Sequence, residues 1–511
     1  SDIYSLGITM FEMLTGRVPF NGETTVAIAI KHIQEEMPSP KEFVPEIPSS
    51  VASIVLKCCQ KSPDRRYQNM AELIADLKQS LINPEEDFVV NKDPDMEGGT
   101  RMISDEDMAQ WDGRLTKAGA YGLKARVLLF VASPLLNSDQ PYAAGEASEQ
   151  HMTWFGNYDR ERWKKAVDAC EAFFNALGQN GFYRLVQKND VSPGEYRYAF
   201  RKAYFDRGTT ETLISVHRNI YSASLSAGQL VLWNAIRWGG YCPTKEYFDM
   251  FPMADGSDFD WNNPEHAANP FVNRDPRLNE TFILDGDIYQ GRTVELTQEY
   301  PSDKTNYPKG KDWGQGAMHS LSLKTGLACR KWGLDRGNEL KGHVIQWPHL
   351  RIAELYLSYA EALNELTASY EVPSWDGSIT YTISRNVEDM RTGIKPIRMR
   401  AGVPDYDADT YSNPIKFRIK LKRERQIELF AEGKRYYDLR RWKDAEVEEA
   451  MPVYGCYTFM SNANKDLFHT PVPISNLSAT FSPKMYFWPI KHSELKRNKL
   501  LTQNPGWTYN D

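Results

Sequence analysis

The chain has 511 residues, enough for two or three domains, and its 41% hydrophobic and 25% charged content is ordinary for a soluble globular protein. A formal net charge of −7, with no long Lys/Arg run, excludes nucleic acid as a main partner. The longest apolar run, 127–136, contains Ser133 and Pro134 and falls well short of the roughly 20 residues that cross a bilayer.

The chain opens inside a helix pattern. Ile3, Leu6, Ile8, Met10, Phe11, Met13 and Leu14 predict a helix apolar on nearly every side, stopped at Gly16 and buried within a larger domain. Neither an initiator methionine nor a signal peptide precedes it, so the sequence reads as a piece of something longer. Further helices are expected around 26–33, 51–59 and 70–81, with no strand pattern.

Three ordered motifs in this stretch resemble the end of the C-lobe of a bacterial Ser/Thr protein kinase: Asp2-Ile3-Tyr4-Ser5-Leu6-Gly7, Glu12-Met13-Leu14-Thr15-Gly16-Arg17-Val18-Pro19-Phe20, and Ser62-Pro63-Asp64-Arg65-Arg66-Tyr67. The resemblance covers 1–82. It implies that Asp2 braces a catalytic loop from beneath and that Arg66 pairs with a buried glutamate. Phosphoryl transfer needs a Gly-rich loop, a strand lysine, an HRD aspartate and a DFG aspartate. The sequence holds none of them, so no kinase catalysis is expected. Arg66 is expected to be a stranded charge, at a cost on the order of 3–5 kcal/mol.

Residues 83–110 carry Glu85, Glu86, Asp87, Asp93, Asp95, Glu97, Asp105, Glu106 and Asp107 against Lys92 and Arg101, with Pro94, Gly98 and Gly99 among them. High like charge without period predicts a solvated acidic linker.

From 116 the helical period returns. Ala118, Tyr121, Ala125, Leu128, Leu129 and Ala132 line one face, and Trp163, Ala166, Ala169, Cys170 and Phe173 a second. Leu350, Ala353, Leu357, Ala360, Glu361 and Leu363 mark a third helix, and 415–430 a fourth. Small residues at facing positions predict closely packed, tetratricopeptide-like helix pairs, without a strict 34-residue repeat. Between 185 and 345 Gly, Pro, Asn, Asp and Trp dominate, which predicts a loop-rich insert with short β segments. The fold class expected is mainly α, with an all-α kinase remnant in front.

An ordered series of segments in 111–511 resembles the SusD/RagB family of outer-membrane glycan-binding lipoproteins. It includes Leu123-Lys124-Ala125-Arg126-Val127-Leu128-Leu129, Asn273-Arg274-Asp275-Pro276-Arg277-Leu278, Tyr359-Ala360-Glu361-Ala362-Leu363-Asn364-Glu365, Glu432-Gly433-Lys434-Arg435-Tyr436-Tyr437-Asp438-Leu439-Arg440-Arg441-Trp442 and Gln503-Asn504-Pro505-Gly506. The resemblance implies a polysaccharide or oligosaccharide ligand, a TonB-dependent outer-membrane transporter as partner, and a cell-surface lipoprotein. The family's secretion signal, lipidated cysteine and first helices do not stand in front of this segment; the kinase remnant does. A kinase C-lobe belongs in the cytosol and a SusD-like domain outside the outer membrane, so a join between unrelated sequences is expected near 105–113.

Glu424, Glu428, Glu432 and Asp438, interleaved with Arg423, Arg425, Arg435, Arg440 and Arg441, invite a glycoside hydrolase reading, but Arg at i±3 or i±4 is the pattern of structural ion pairs. Arg274, Asp275 and Arg277 likewise suggest a salt-bridged turn. Asp255, Asp258 and Asp260 lack the calcium-loop spacing, and a polar turn is expected there. No cofactor or metal is implied. The six cysteines, Cys58, Cys59, Cys170, Cys242, Cys329 and Cys456, show no ligand spacing and are expected to be buried free thiols.

Irregularly spaced aromatics among Gly, Ser and Asn are better placed for exposure than core residues, and a flat ring packs against the apolar face of a pyranose. Tyr221, Trp233, Trp238, Tyr241 and Trp261 are therefore the candidate glycan-binding residues. Tyr289, Trp313 and Trp347 are weaker candidates, because Trp347-Pro348 runs into a helix and is expected to pack beneath it.

Overall fold

A computed structural model of the chain describes residues 2–20, 37–60, 66–67, 69–86, 88–89, 116–180, 182–219, 242–284, 286–289, 291–294, 298–299, 325–332, 344–373, 380–456, 459–460, 470–474 and 480–508. It divides into two compact units, Ser1–Arg101 and Met102–Asp511.

In the first unit α1 (Asp2–Thr15), α2 (Ser49–Cys58) and α3 (Met70–Ile82) enclose Phe11, Ile54, Val55, Cys58 and Leu73. α1 meets α2 at Gly7, where a Cβ would stand 2.6 Å from that of Cys58. Gly16 ends α1 at φ +70°, a left-handed position that a glycine adopts without penalty. Asn69 caps α3 by accepting from the Glu72 amide at 3.0 Å. The chain beyond α3 stays on this unit: the Ser50 hydroxyl donates to the Pro84 carbonyl at 2.7 Å, and Phe88 and Val89 join the core. The helix expected at 26–33 and the acidic stretch from 90 to 110 lie outside the described residues.

Asp2 opens α1, and its side chain also lies outside what is described. Arg66 departs from expectation, because its charge is not stranded. It is half-buried, donates from Nε to the Gln60 carbonyl at 2.7 Å, and lies over the Tyr4 ring at 4.7 Å.

The second unit is built on helix pairs. α4 (Lys117–Ala132), capped by the Thr116 hydroxyl, packs along α5 (Glu161–Asn180), and α6 (Tyr196–Phe205) follows. β1 (Thr212–Asn219) opens the insert, which carries the short helices α7 (Lys245–Asp249) and α8 (Pro276–Thr281). β2 (Val344–Arg351) closes it, pairing antiparallel with β1 from Thr212↔Arg351 to Asn219↔Val344. α9 (Ile352–Asn364) starts at once and is buried on every side, between the α4/α5 pair, α10 (Val387–Ala401) and α11 (Pro414–Glu428). α12 (Arg435–Arg441) completes the helical frame. The insert has its own small core of Phe248, Phe251, Leu278 and Phe282.

The third predicted helix therefore begins two residues later than its pattern suggested. Trp347 and Leu350 are strand residues, and Trp347 sits opposite Val216 of β1 rather than under a helix. Five cysteines are buried and Cys242 is half-buried, all as free thiols. No helix of the described residues is long and apolar enough to cross a membrane.

Candidate functional site

The carboxylates that invited a hydrolase reading form the interior of the second unit. Glu424 and Glu428 lie one turn apart on α11, and Glu432 follows one turn later in the sequence. All three are buried, and each is met by cations from other elements. Arg277 of α8 reaches Glu428 at 3.0 Å and Glu424 at 2.7 Å. Arg351, at the end of β2, reaches Glu428 at 2.6 Å, Glu432 at 2.8 Å and Glu211 at 2.8 Å. Arg398 of α10 takes Glu424 at 2.9 Å, Arg400 takes Glu211 and Glu428, and Lys331 takes Glu432 at 2.7 Å.

The in-helix pairing expected from spacing holds for Asp438 with Arg441, at 2.8 Å. For the three glutamates it is replaced by cross-element pairing that clamps the insert to the helices. Burial alone would raise their carboxyls, but the surrounding guanidinium groups and Lys331 outweigh it and hold all three below their ordinary range. A general acid needs the opposite shift.

The expected salt-bridged turn is half right. Asp275 and Arg277 pair at 2.7 Å, whereas Arg274 spends its guanidinium on the carbonyls of Pro270, Phe248 and Phe251. Asp255 accepts from Ser257, Asp258 holds Lys420 and Arg423, and Asp260 caps Asn262, which makes a polar turn. Among the described residues no group of His, Cys, Asp and Glu could hold a metal ion.

Of the five aromatic candidates, Tyr221, Trp233, Trp238 and Tyr241 lie outside the described residues, between Asn219 at the end of β1 and Cys242. Trp261 is described. It is half-buried against the insert core, donates from Nε1 to Asp249 at 2.9 Å, and carries the Lys245 ammonium 4.4 Å from its ring. Of the weaker candidates, Tyr289 is buried with Ile283, Val294 and Ala328 and offers no ring to a ligand. Trp313 lies outside the described residues.

Among the described residues Trp332 and Trp347 form an accessible stacked pair. Their rings stack at 4.8 Å and 20°, both half-buried. The buried ring of Tyr204 meets Trp332 edge-on at 5.0 Å, and the Trp332 indole donates to the Ala431 carbonyl at 3.0 Å. Trp332 adopts φ +71° and Ala431 φ +55°, left-handed conformations that cost a residue with a side chain of order 1 kcal/mol or more. The fold thus spends backbone strain to fix one indole against another.

Beside them Ala431, Gly433 and Lys434 form one wall of a cavity of about 540 Å3, with the stacked pair Tyr247 and Phe430 (4.2 Å, 18°) in its lining. Trp332 is not among the aromatics that the sequence singles out.

Residues 200–507, more than half of the chain, match the SusD family. The chain belongs to the SusD family.

Solved SusD-like structures show the same fold. A SusD-like protein from Bacteroides fragilis aligns with a TM-score of 0.51 at 20% identity, covering 90% of this chain and 81% of that one. A SusD-like carbohydrate binding protein from the same species aligns at 0.53 and 16%, covering 97% and 84%. Residues 1–77 match a different family, the protein tyrosine and serine/threonine kinases. Serine/threonine-protein kinase PrkC of Bacillus subtilis is 44% identical over 117 residues, which are 22% of this chain and 18% of that kinase. A probable kinase PknB of Lactococcus lactis is 43% identical over 98 residues, 19% and 16%. The chain thus spans less than a fifth of the length of these kinases and joins a kinase fragment to a SusD domain.

Proposed function

We propose that the SusD unit is a non-catalytic glycan receptor of the bacterial cell surface, acting with a TonB-dependent outer-membrane transporter in oligosaccharide uptake. The observation that carries the reading is the Trp332–Trp347 pair: two stacked indoles, half-exposed and held by strained backbone, beside a cavity of monosaccharide-to-disaccharide scale. Family membership and a structural neighbour described as carbohydrate binding support the ligand class. The buried, cation-bound state of Glu424, Glu428 and Glu432 supports binding without hydrolysis. Tyr221, Trp233, Trp238 and Tyr241 remain proposed contributors.

Affinity electrophoresis against a polysaccharide panel tests the reading. Trp332→Ala, Trp347→Ala and Trp233→Ala should each weaken binding roughly ten- to a hundredfold, the worth of one stacked ring. Melting temperature should change little, since a half-exposed ring costs far less to remove than a core tryptophan, at about 3–5 kcal/mol. Retained glycans should be recovered uncleaved. Binding unaffected by all three changes, or release of shortened products, would overturn the proposal.

A further inference from the structure

The indole pair sits on a cationic edge. Trp347 is half-exposed and His349 exposed, while Pro348 between them is buried. The His349 carbonyl accepts from two cations, Arg126 of α4 and Lys434, the latter at 2.5 Å. A ring of contacts closes through the platform. Trp347 stacks on Trp332, Trp332 donates to Ala431, and three residues beyond Ala431 Lys434 returns to His349.

Among the described residues cations outnumber carboxylates around this ring, Arg126, Arg425, Lys434 and Arg441 against Glu354, Asp438 and Glu361. Glu354, in the first turn of α9, is buried and must serve Arg126 at 2.7 Å, Arg425 at 3.6 Å and Lys434 at 3.7 Å. Arg425 has a second anion in Asp438 at 2.7 Å, but Asp438 also takes Arg441. One buried carboxylate therefore balances two cations that keep partial access to solvent, Arg126 at 30% and Lys434 at 13% side-chain exposure. Burial, and after it the neighbouring Lys434 and Arg126, hold the His349 imidazole below its ordinary value.

We propose that this surface selects an anionic glycan, with the Trp347 indole against the pyranose face and Arg126, Lys434 and His349 receiving a carboxylate or sulfate on the sugar. The inference rests on the glycan-receptor reading and adds its substrate class. An ammonium and a guanidinium that share one buried carboxylate close to an aromatic pair have capacity for the anion of a charged sugar, which a neutral sugar does not supply.

The test uses the full chain with dextran, dextran sulfate and polygalacturonate at 150 mM salt, by titration calorimetry. Dextran sulfate against dextran isolates the sulfate on one backbone, and polygalacturonate reports the carboxylate. Binding to at least one anionic polymer should exceed binding to dextran tenfold or more. His349→Glu, an exposed position where folding is not at stake, should remove at least tenfold of that affinity, as should Trp347→Ala. Lys434→Gln should act in the same direction. Lys395→Glu, on the exposed side of α10, changes the charge by two units, more than either of these, and should still leave binding unchanged.

Equal losses with Lys395→Glu would mean adsorption of polyanions to the whole surface, and the proposal would fall. Indifference to His349→Glu would overturn it too. Trp-dependent binding of neutral dextran at equal strength would overturn the anionic preference while leaving the receptor reading intact. Failure of every polymer here and in the wider panel would remove both.

Discussion

Glu428 shows how one residue can organise a domain. Its two oxygens receive Arg277, Arg351 and Arg400, which arrive from α8, β2 and α10. Glu428→Gln keeps the shape but leaves three buried guanidinium groups short of an anion. Breaking a buried pair of this kind costs about 3–5 kcal/mol, so chemical denaturation should show a large loss in the transition of the SusD unit. Glu354 adds a pH dependence. Burial raises its carboxyl, but Arg126, Lys434 and Arg425 outweigh that and bring it down to about 2 from an ordinary 4.5. A depressed carboxylate contributes stability above its unfolded value and loses it as pH falls through its folded value. Denaturation midpoints should therefore drop between pH 4.5 and pH 2, and Glu354→Gln should flatten that slope. An unchanged slope in the variant would assign the acid sensitivity to other carboxylates.

The helices explain why the frame accepts so little change. α10 crosses α9 at Gly393, where a Cβ would lie 2.8 Å from the Tyr356 carbonyl oxygen and 2.9 Å from the Ala360 amide nitrogen. Those are backbone atoms of a helix buried on all sides and cannot turn away. Gly393→Ala should destabilise the SusD unit by about 1–3 kcal/mol despite the higher helix propensity of alanine, read as a lowered denaturation midpoint. Small residues at facing positions are legible in the sequence, and so are the extents of α1, α4 and α11 and the existence of α5, because amphipathic period is a local signal. The β1–β2 ribbon is not. Its strands are separated by 124 residues of insert, and Leu350 falls in phase with the helix that follows, so the strand was absorbed into the helix pattern. Trp347 was misplaced for the same reason. The usable signal was an alternation: Gln346, Pro348 and Leu350 are buried while Trp347 is half-exposed and His349 exposed. Trp332 owes its place to a long-range stack and a left-handed backbone, neither of which leaves a local trace.

At the scale of the whole chain two families meet in one polypeptide, a kinase match at 1–77 and a SusD match at 200–507. The first unit keeps its packing as far as Val89, and the SusD helices begin at Lys117. The acidic residues Asp93, Asp95, Glu97, Asp105, Glu106 and Asp107 fall between them. The charge pattern predicts a solvated linker there, so a protease is expected to act on it first. Glu-specific cleavage at low enzyme ratio should therefore cut first at Glu97 or Glu106, ahead of the many glutamates held in ion pairs. The larger product should persist, since its core runs through α4, α5, α9, α10 and α11. The smaller should be degraded, because it encloses only a small cluster, with Leu81 and Ile82 exposed at the end of α3. Mass spectrometry of the time course distinguishes the outcomes. A resistant fragment spanning 90–116 would show that the two segments fold as one body, and would contradict a join between independent sequences. Early cleavage within that stretch, followed by loss of the kinase fragment alone, is the expected result. It would agree with sequencing the source DNA across the junction near 105–113, where a chimeric join predicts that the kinase and SusD segments separate.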